Sequence, residues 1–248
     1  DATSPTRYGH GAADTIRSTV NPIKGGTAWS NPATTIDTAE WSITGLKCVQ
    51  SMLYIFKGNR PFYLDTSGNV KTLTGMTQTL ASTTGGAGTT EFSGKMYIPY
   101  GRELLEYDIA NTAFDWKQPS NYGIGFSGTF AGLAGDDRYL YAAVLSGTTS
   151  YIFAGHDEVI DNSSQWVWHI VGYYTSTTTT GAFLSNYVGS AKRLWLPSTS
   201  THGIIFMSVP TEYGDVTTDT TYTYATGSTI TTPWHHGEFK GDNKAFIN

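Results

Sequence analysis

The sequence predicts an all-β fold, a β-propeller of four-stranded antiparallel blades, and three observations point to it. Charged residues make up only 14% of the chain and aromatics another 14%. Threonine is abundant, and this balance suits pleated, half-buried surfaces better than helices. A hairpin motif recurs four times along the chain, at a period close to that of a propeller blade.

The motif stands as SMLYIFKGNRPFYLD at 51–65, GKMYIPYGRELLEYDIANTAFDW at 94–116, DDRYLYAAVLSGTTSYIFAGHDEV at 136–159 and AKRLWLPSTSTHGIIFMSVP at 191–210. Each copy opens on an apolar residue followed by an aromatic: Leu53-Tyr54, Met96-Tyr97, Leu140-Tyr141 and Leu194-Trp195. A turn of Gly, Asn or Ser and a second strand-forming run follow, which is a hairpin signature. The aromatics are 43, 44 and 54 residues apart, the last interval being lengthened by the Thr-rich insertion YYTSTTTTG at 173–181. They are expected to occupy one position in successive blades and to be buried between them.

Inner strands are expected to begin near Trp41, Phe92, Phe130 and Phe183, and outer strands near Val70–Leu73 and Trp166–Ile170. The chain then divides into an extended N-terminal arm over 1–40, able to contribute an outer strand, blades over 41–232, and a C-terminal strand over 233–248. That last strand closes the ring or leads into a further domain. Five blades are the preferred count, because strands from both ends can close a ring and remove its edges. The alternatives are an open propeller fragment and a β-sandwich.

Charge and motifs exclude several functions. A net charge of −5 without a run of Lys or Arg offers no footprint for a phosphate backbone, so no nucleic-acid partner is expected. No apolar run approaches the roughly 18 residues of a membrane span, and no membrane insertion is expected. The single cysteine, Cys48, leaves no intramolecular disulfide or Cys-based zinc site, and its apolar context GLKCVQSMLY reads as a small core position. Nucleophile-elbow, metalloprotease and phosphate-loop signatures are absent, and Gly-rich TTGGAG at 83–88 reads as a flexible loop. No catalytic residue, metal or cofactor is assigned. The chain stops at KAFIN, inside an apolar strand pattern, which suggests a piece of a longer protein.

The densest titratable cluster is His156-Asp157-Glu158, read as a solvated loop because consecutive side chains of an extended chain diverge. Trp234, His235 and His236 follow Pro233 and could grip a metal or a sugar ring. The hairpin turns of successive blades should line one face, which makes Asn59, Arg60, Arg102, Thr148 and His202 candidate binding residues on a composite polar surface.

The blades and the tail GSTITTPWHHGEFKGDNKAFI resemble the propeller regions of structural proteins of tailed-phage virions. There a strand of the form Thr-Pro-Trp, polar turn, Gly-Asp-x-Lys-Ala-Phe leads into a following β-domain. The resemblance covers about residues 41–248. It implies a non-catalytic structural or host-attachment role in a virion or another extracellular setting, with other virion subunits, further copies of the chain or a cell-surface glycan as partners. A polysaccharide-acting propeller enzyme and a sugar-binding lectin are the alternative functions.

Overall fold

The computed structural model describes residues 6–20, 29, 33–75, 81–117, 128–160, 162–188, 191–199 and 203–209. These residues form five antiparallel sheets and no helix. The first sheet contains β1 (Arg7–Ala12), β2 (Thr15–Thr19) and β3 (Thr34–Thr35), and the second β4 (Ile43–Val49), β5 (Met52–Lys57), β6 (Pro61–Leu64) and β7 (Val70–Thr72). The third contains β8 (Thr90–Phe92), β9 (Lys95–Tyr100), β10 (Glu103–Asp108) and β11 (Ala113–Trp116). The fourth contains β12 (Thr129–Gly135), β13 (Leu140–Ser146), β14 (Thr149–Ile160) and β15 (Ser163–Tyr174). The fifth contains β16 (Phe183–Val188), β17 (Ala191–Pro197) and β18 (Ile204–Val209). Strands follow one another in chain order within every sheet, as in propeller blades.

One of the expected segments differs. The stretch expected to be an extended arm instead folds into the three-stranded first sheet, which buries Ile16 and Ile36 against the second. Lys57, fully buried, donates from Nζ to the carbonyls of Ile36 and Thr38, fastening the connection between these two sheets. The C-terminal strand expected over 233–248 lies outside the described residues.

Four apolar clusters join the five sheets in series, one at each successive junction. The alternation of strand residues explains this arrangement. In β5, Leu53 and Ile55 face the first sheet while Tyr54 and Phe56 face the third. In β9, Met96, Ile98 and Tyr100 face back and Tyr97 faces forward, and in β13 Tyr141 again faces forward. The three tyrosines are almost fully buried, as their repeated position requires. Trp195 has the same phase, since its neighbours Leu194 and Leu196 face back into the last junction. No described sheet lies beyond it, so it is only half-buried, and Phe183 and Phe206 on the same face are exposed.

Two local expectations are overturned. The TTGGAG stretch is a packed connector, with Gly85 and Gly86 both buried. A Cβ on Gly85 would lie 2.4 Å from the Tyr100 ring, and one on Gly86 would lie 2.2 Å from Cβ of Phe56. Glycine is there for close approach rather than for flexibility. Cys48 is exposed, because it lies near the end of β4, the first strand of its sheet, although its cross-strand partner Leu53 is buried.

Candidate functional site

Three of the hairpin turns expected to line a composite face are each tied to the chain that follows their own sheet. The Gly58 carbonyl accepts from Ser82 N–H at 2.8 Å, the Gly101 carbonyl from Phe130 N–H at 2.8 Å and the Thr148 carbonyl from Thr177 N–H at 2.9 Å. The Thr-rich insertion carries this pattern to the last sheet, where Thr199 N–H donates to the Thr178 carbonyl at 3.0 Å and Thr180 N–H to the Pro197 carbonyl at 2.9 Å. Its hydroxyls also serve the scaffold, with Thr179 Oγ1 3.0 Å from the Ser150 hydroxyl.

The predicted binding residues do not converge on this face. Arg60 lies 3.8 Å from Asp37 and over the Phe62 ring, both within its own neighbourhood. Asn59 keeps a buried side-chain oxygen without a hydrogen-bond partner, while Arg102 and Thr148 are exposed on separate turns. No hydrogen bond, ion pair or ring contact joins these four to one another. His202, Trp234, His235 and His236 lie outside the described residues.

The structure instead concentrates chemistry on the β14–β15 hairpin, whose two 12-residue strands are the longest among the described residues. Pairing with β13 stops at Leu140 opposite Gly155, so His156–Ile160 and Ser163–Val167 pair only with each other and form a ribbon beyond the sheet. At about 3.3 Å per residue, these five pairs project the ribbon by ~16 Å. The sequence supports such a ribbon because Trp166-Val167-Trp168 and Val159-Ile160 favour extended backbone.

Directly opposed residues share a face, and the two faces differ. On one, Trp166 stacks on Tyr97 with ring centroids 5.3 Å apart, and Trp168 Nε1 donates to the Lys117 carbonyl at 2.6 Å. These indoles anchor the ribbon to the third sheet. They cover Gly155, where a Cβ would meet Trp168 ring carbons at 2.6 Å and Trp166 at 2.8 Å. Gly155→Ala is therefore expected to displace both indoles, to cost about 1–3 kcal/mol as overpacking does, and to shift tryptophan emission to the red. An unchanged denaturation midpoint and emission maximum would show that the ribbon accommodates the methyl group.

The other face carries His156 and Glu158, two positions apart on β14, and His169 of β15, opposite Ala154. The three share a face because the ladder runs without interruption from Ile160 opposite Ser163 to Phe153 opposite Ile170; beyond it one unpaired residue, Val171, forms a bulge that resets the register toward the sheet, where Ile152 pairs with Gly172. The residues first read as a loop thus stand on a strand, and His156 and Glu158 point the same way. The imidazoles of His156 and His169 stack with centroids 5.3 Å apart and planes 26° from parallel, while Tyr139 meets His156 edge-on at 5.1 Å. One ligand atom from each of His156, Glu158 and His169 lies within 4.8 Å of the other two. His156 is half-buried, and its Nδ1 is buried without a hydrogen-bond partner. Burial, and then the neighbouring His169, hold its pKa below the usual imidazole value and so favour the neutral ring.

No protein-family model matches the chain, and no curated protein matches it. Among solved structures, the extracellular domain of a protein described as a one component system of B. thetaiotaomicron superposes with a TM-score of 0.53 and 14% identity, covering 79% of this chain and 25% of that one. A structure of the same domain described as part of a hybrid two component system gives 0.50 and 15%, again over 79% and 25%. A structure from a study of two prolyl endopeptidases gives 0.41 and 10%, over 78% of this chain and 30% of that one. The chain thus spans about a quarter of the length of the extracellular domains it matches. Together with the five chain-ordered sheets, that likeness makes the fold an all-β, propeller-like one.

Proposed function

We propose that this chain is a non-catalytic structural or attachment module of an extracellular assembly, a virus particle by the resemblance of its tail, and that the β14–β15 ribbon is its contact element. The observation that carries this reading is the ribbon itself. A two-stranded ribbon without a sheet behind it is marginal alone, yet this one runs five residue pairs past β13 and holds Val159 74% exposed. A partner surface would bury that apolar position. Low charge density favours association over colloidal repulsion, and two of the structural neighbours are extracellular domains.

The test is the mass of the purified full chain, with and without Val159→Asp. The expected result is an oligomer heavier than the 26.9 kDa chain, which the substitution dissociates while the far-ultraviolet β signal is retained. A monodisperse monomer indifferent to the substitution, or turnover of a labelled glycan panel, would overturn the proposal.

A further inference from the structure

We propose that His156, Glu158 and His169 form a binding site for a divalent transition-metal ion of the zinc or nickel class, bridging the two strands at the root of the ribbon. Three observations carry this, all independent of the ribbon's partner. The first is the donor set: two imidazoles and one carboxylate suit zinc, nickel or copper, whereas magnesium and calcium prefer all-oxygen shells. The second is convergence, since the three ligand atoms lie within 4.8 Å of one another. Ligands about 2.0–2.2 Å from a tetrahedral zinc stand roughly 3.3–3.6 Å apart. Closing the difference takes rotations of Glu158 and His169, both exposed, around the more buried His156. The third is the buried Nδ1 of His156, a polar atom without a hydrogen-bond partner, in a setting where such groups are normally satisfied.

The placement also gives the ion a task. Two ligands come from β14 and one from β15, so the ion would cross-link the ribbon where it leaves the sheet, on the face opposite the indole anchor. Three protein ligands leave a coordination position open to water or to a side chain of a partner.

The experiment is calorimetric titration of Zn²⁺, Ni²⁺ and Ca²⁺ into the full chain stripped with a chelator. The variants are His169→Ala and Glu158→Gln, both at exposed positions, and a double control, His235→Ala with His236→Ala, which removes the adjacent histidine pair of the tail. The expected result is one Zn²⁺ or Ni²⁺ per chain at this site and little response to Ca²⁺. Each ribbon variant should weaken binding at least about tenfold, the scale on which even outer partners of a metal act, while the tail control leaves that site unchanged. Absence of zinc and nickel binding, binding lost only in the tail control, Ca²⁺ affinity equal to that for zinc, or affinity indifferent to His169→Ala would each overturn the proposal.

Discussion

Gly86→Ala is expected to destabilise the domain by about 3 kcal/mol or more, through two costs that add at one atom. Gly86 has a φ of +79, in the left-handed region, where a side chain costs about 1–2 kcal/mol. The added Cβ would also lie 2.2 Å from Cβ and 2.6 Å from Cγ of Phe56. Phe56 is fully buried in the junction between the second and third sheets, and an atom so near its backbone cannot swing aside. The connector is held in place as well, because Gly86 N–H donates to the Pro99 carbonyl at 2.6 Å and Thr89 Oγ1 donates to the Gly86 carbonyl at 2.8 Å. Gly68 supplies the control, with a φ of +78 and nothing within 4 Å of a Cβ. Urea denaturation should give Gly68→Ala only the backbone cost, about 1–2 kcal/mol. Equal losses in the two variants would mean that the connector yields to Phe56.

Glu106→Ala is expected to cost about 3 kcal/mol, the lower end of the range for breaking a buried ion pair. Its carboxylate is 4% exposed; Oε1 accepts from Lys95 Nζ at 2.6 Å, Oε2 accepts from the Tyr97 hydroxyl at 2.7 Å, and Lys117 Nζ stands 3.8 Å away. Removing it leaves the buried phenol without its acceptor. The cost stays at the lower end because Lys95 is a third exposed and Lys117 keeps Asp115 at 2.8 Å. The pH dependence has a definite sign. The hydrogen bond to Glu106 raises the Lys95 pKa above 10.5, and burial, then that bond, raises Tyr97 above 10.0. Above those ordinary values the folded chain holds more protons than the unfolded one, so stability is full below about pH 10 and falls as pH rises. Glu106→Ala removes the lysine part of this alkaline loss, so its stability should fall less steeply above pH 10. A profile parallel to the unsubstituted protein would show that Lys95 gains nothing from Glu106 in the fold.

The blade repeat was legible because every junction makes the same demand of the chain. An apolar residue facing back and an aromatic facing forward must follow one another on the second strand of each four-stranded sheet, and this recurs at Leu53-Tyr54, Met96-Tyr97 and Leu140-Tyr141. The first sheet escaped notice because its junction rests on two isoleucines, Ile16 and Ile36, 20 positions apart in a segment rich in Gly and Thr. In TTGGAG the glycines leave no side chain to show what packs over them. The Tyr100 ring and Phe56 that require them lie elsewhere in the chain, so composition alone reads the stretch as slack. The His-Glu-His cluster had a partial signal: His156 and Glu158 lie on one side of any strand, and a hairpin after Ile160 would bring Trp166–Ile170 alongside. The position of His169 relative to them depends on the register of the hairpin, with Ile160 opposite Ser163, which the sequence does not mark.

The bulge at the unpaired Val171 acts as a change of parity in β15. Toward the sheet, even-numbered residues of β15 share a side with the even-numbered residues of β14, and toward the ribbon the odd-numbered ones do. Were Val171 instead paired with Phe153 in a regular ladder, every later residue of β15 would move by one position and the linings of the ribbon would exchange, sending the two indoles to the imidazole side and His169 to the side of the third sheet. Anchor and ligand set therefore depend on one and the same register. A slip of one residue would lose both, whereas losing the unpaired residue itself would leave the pairs of the ribbon as they are.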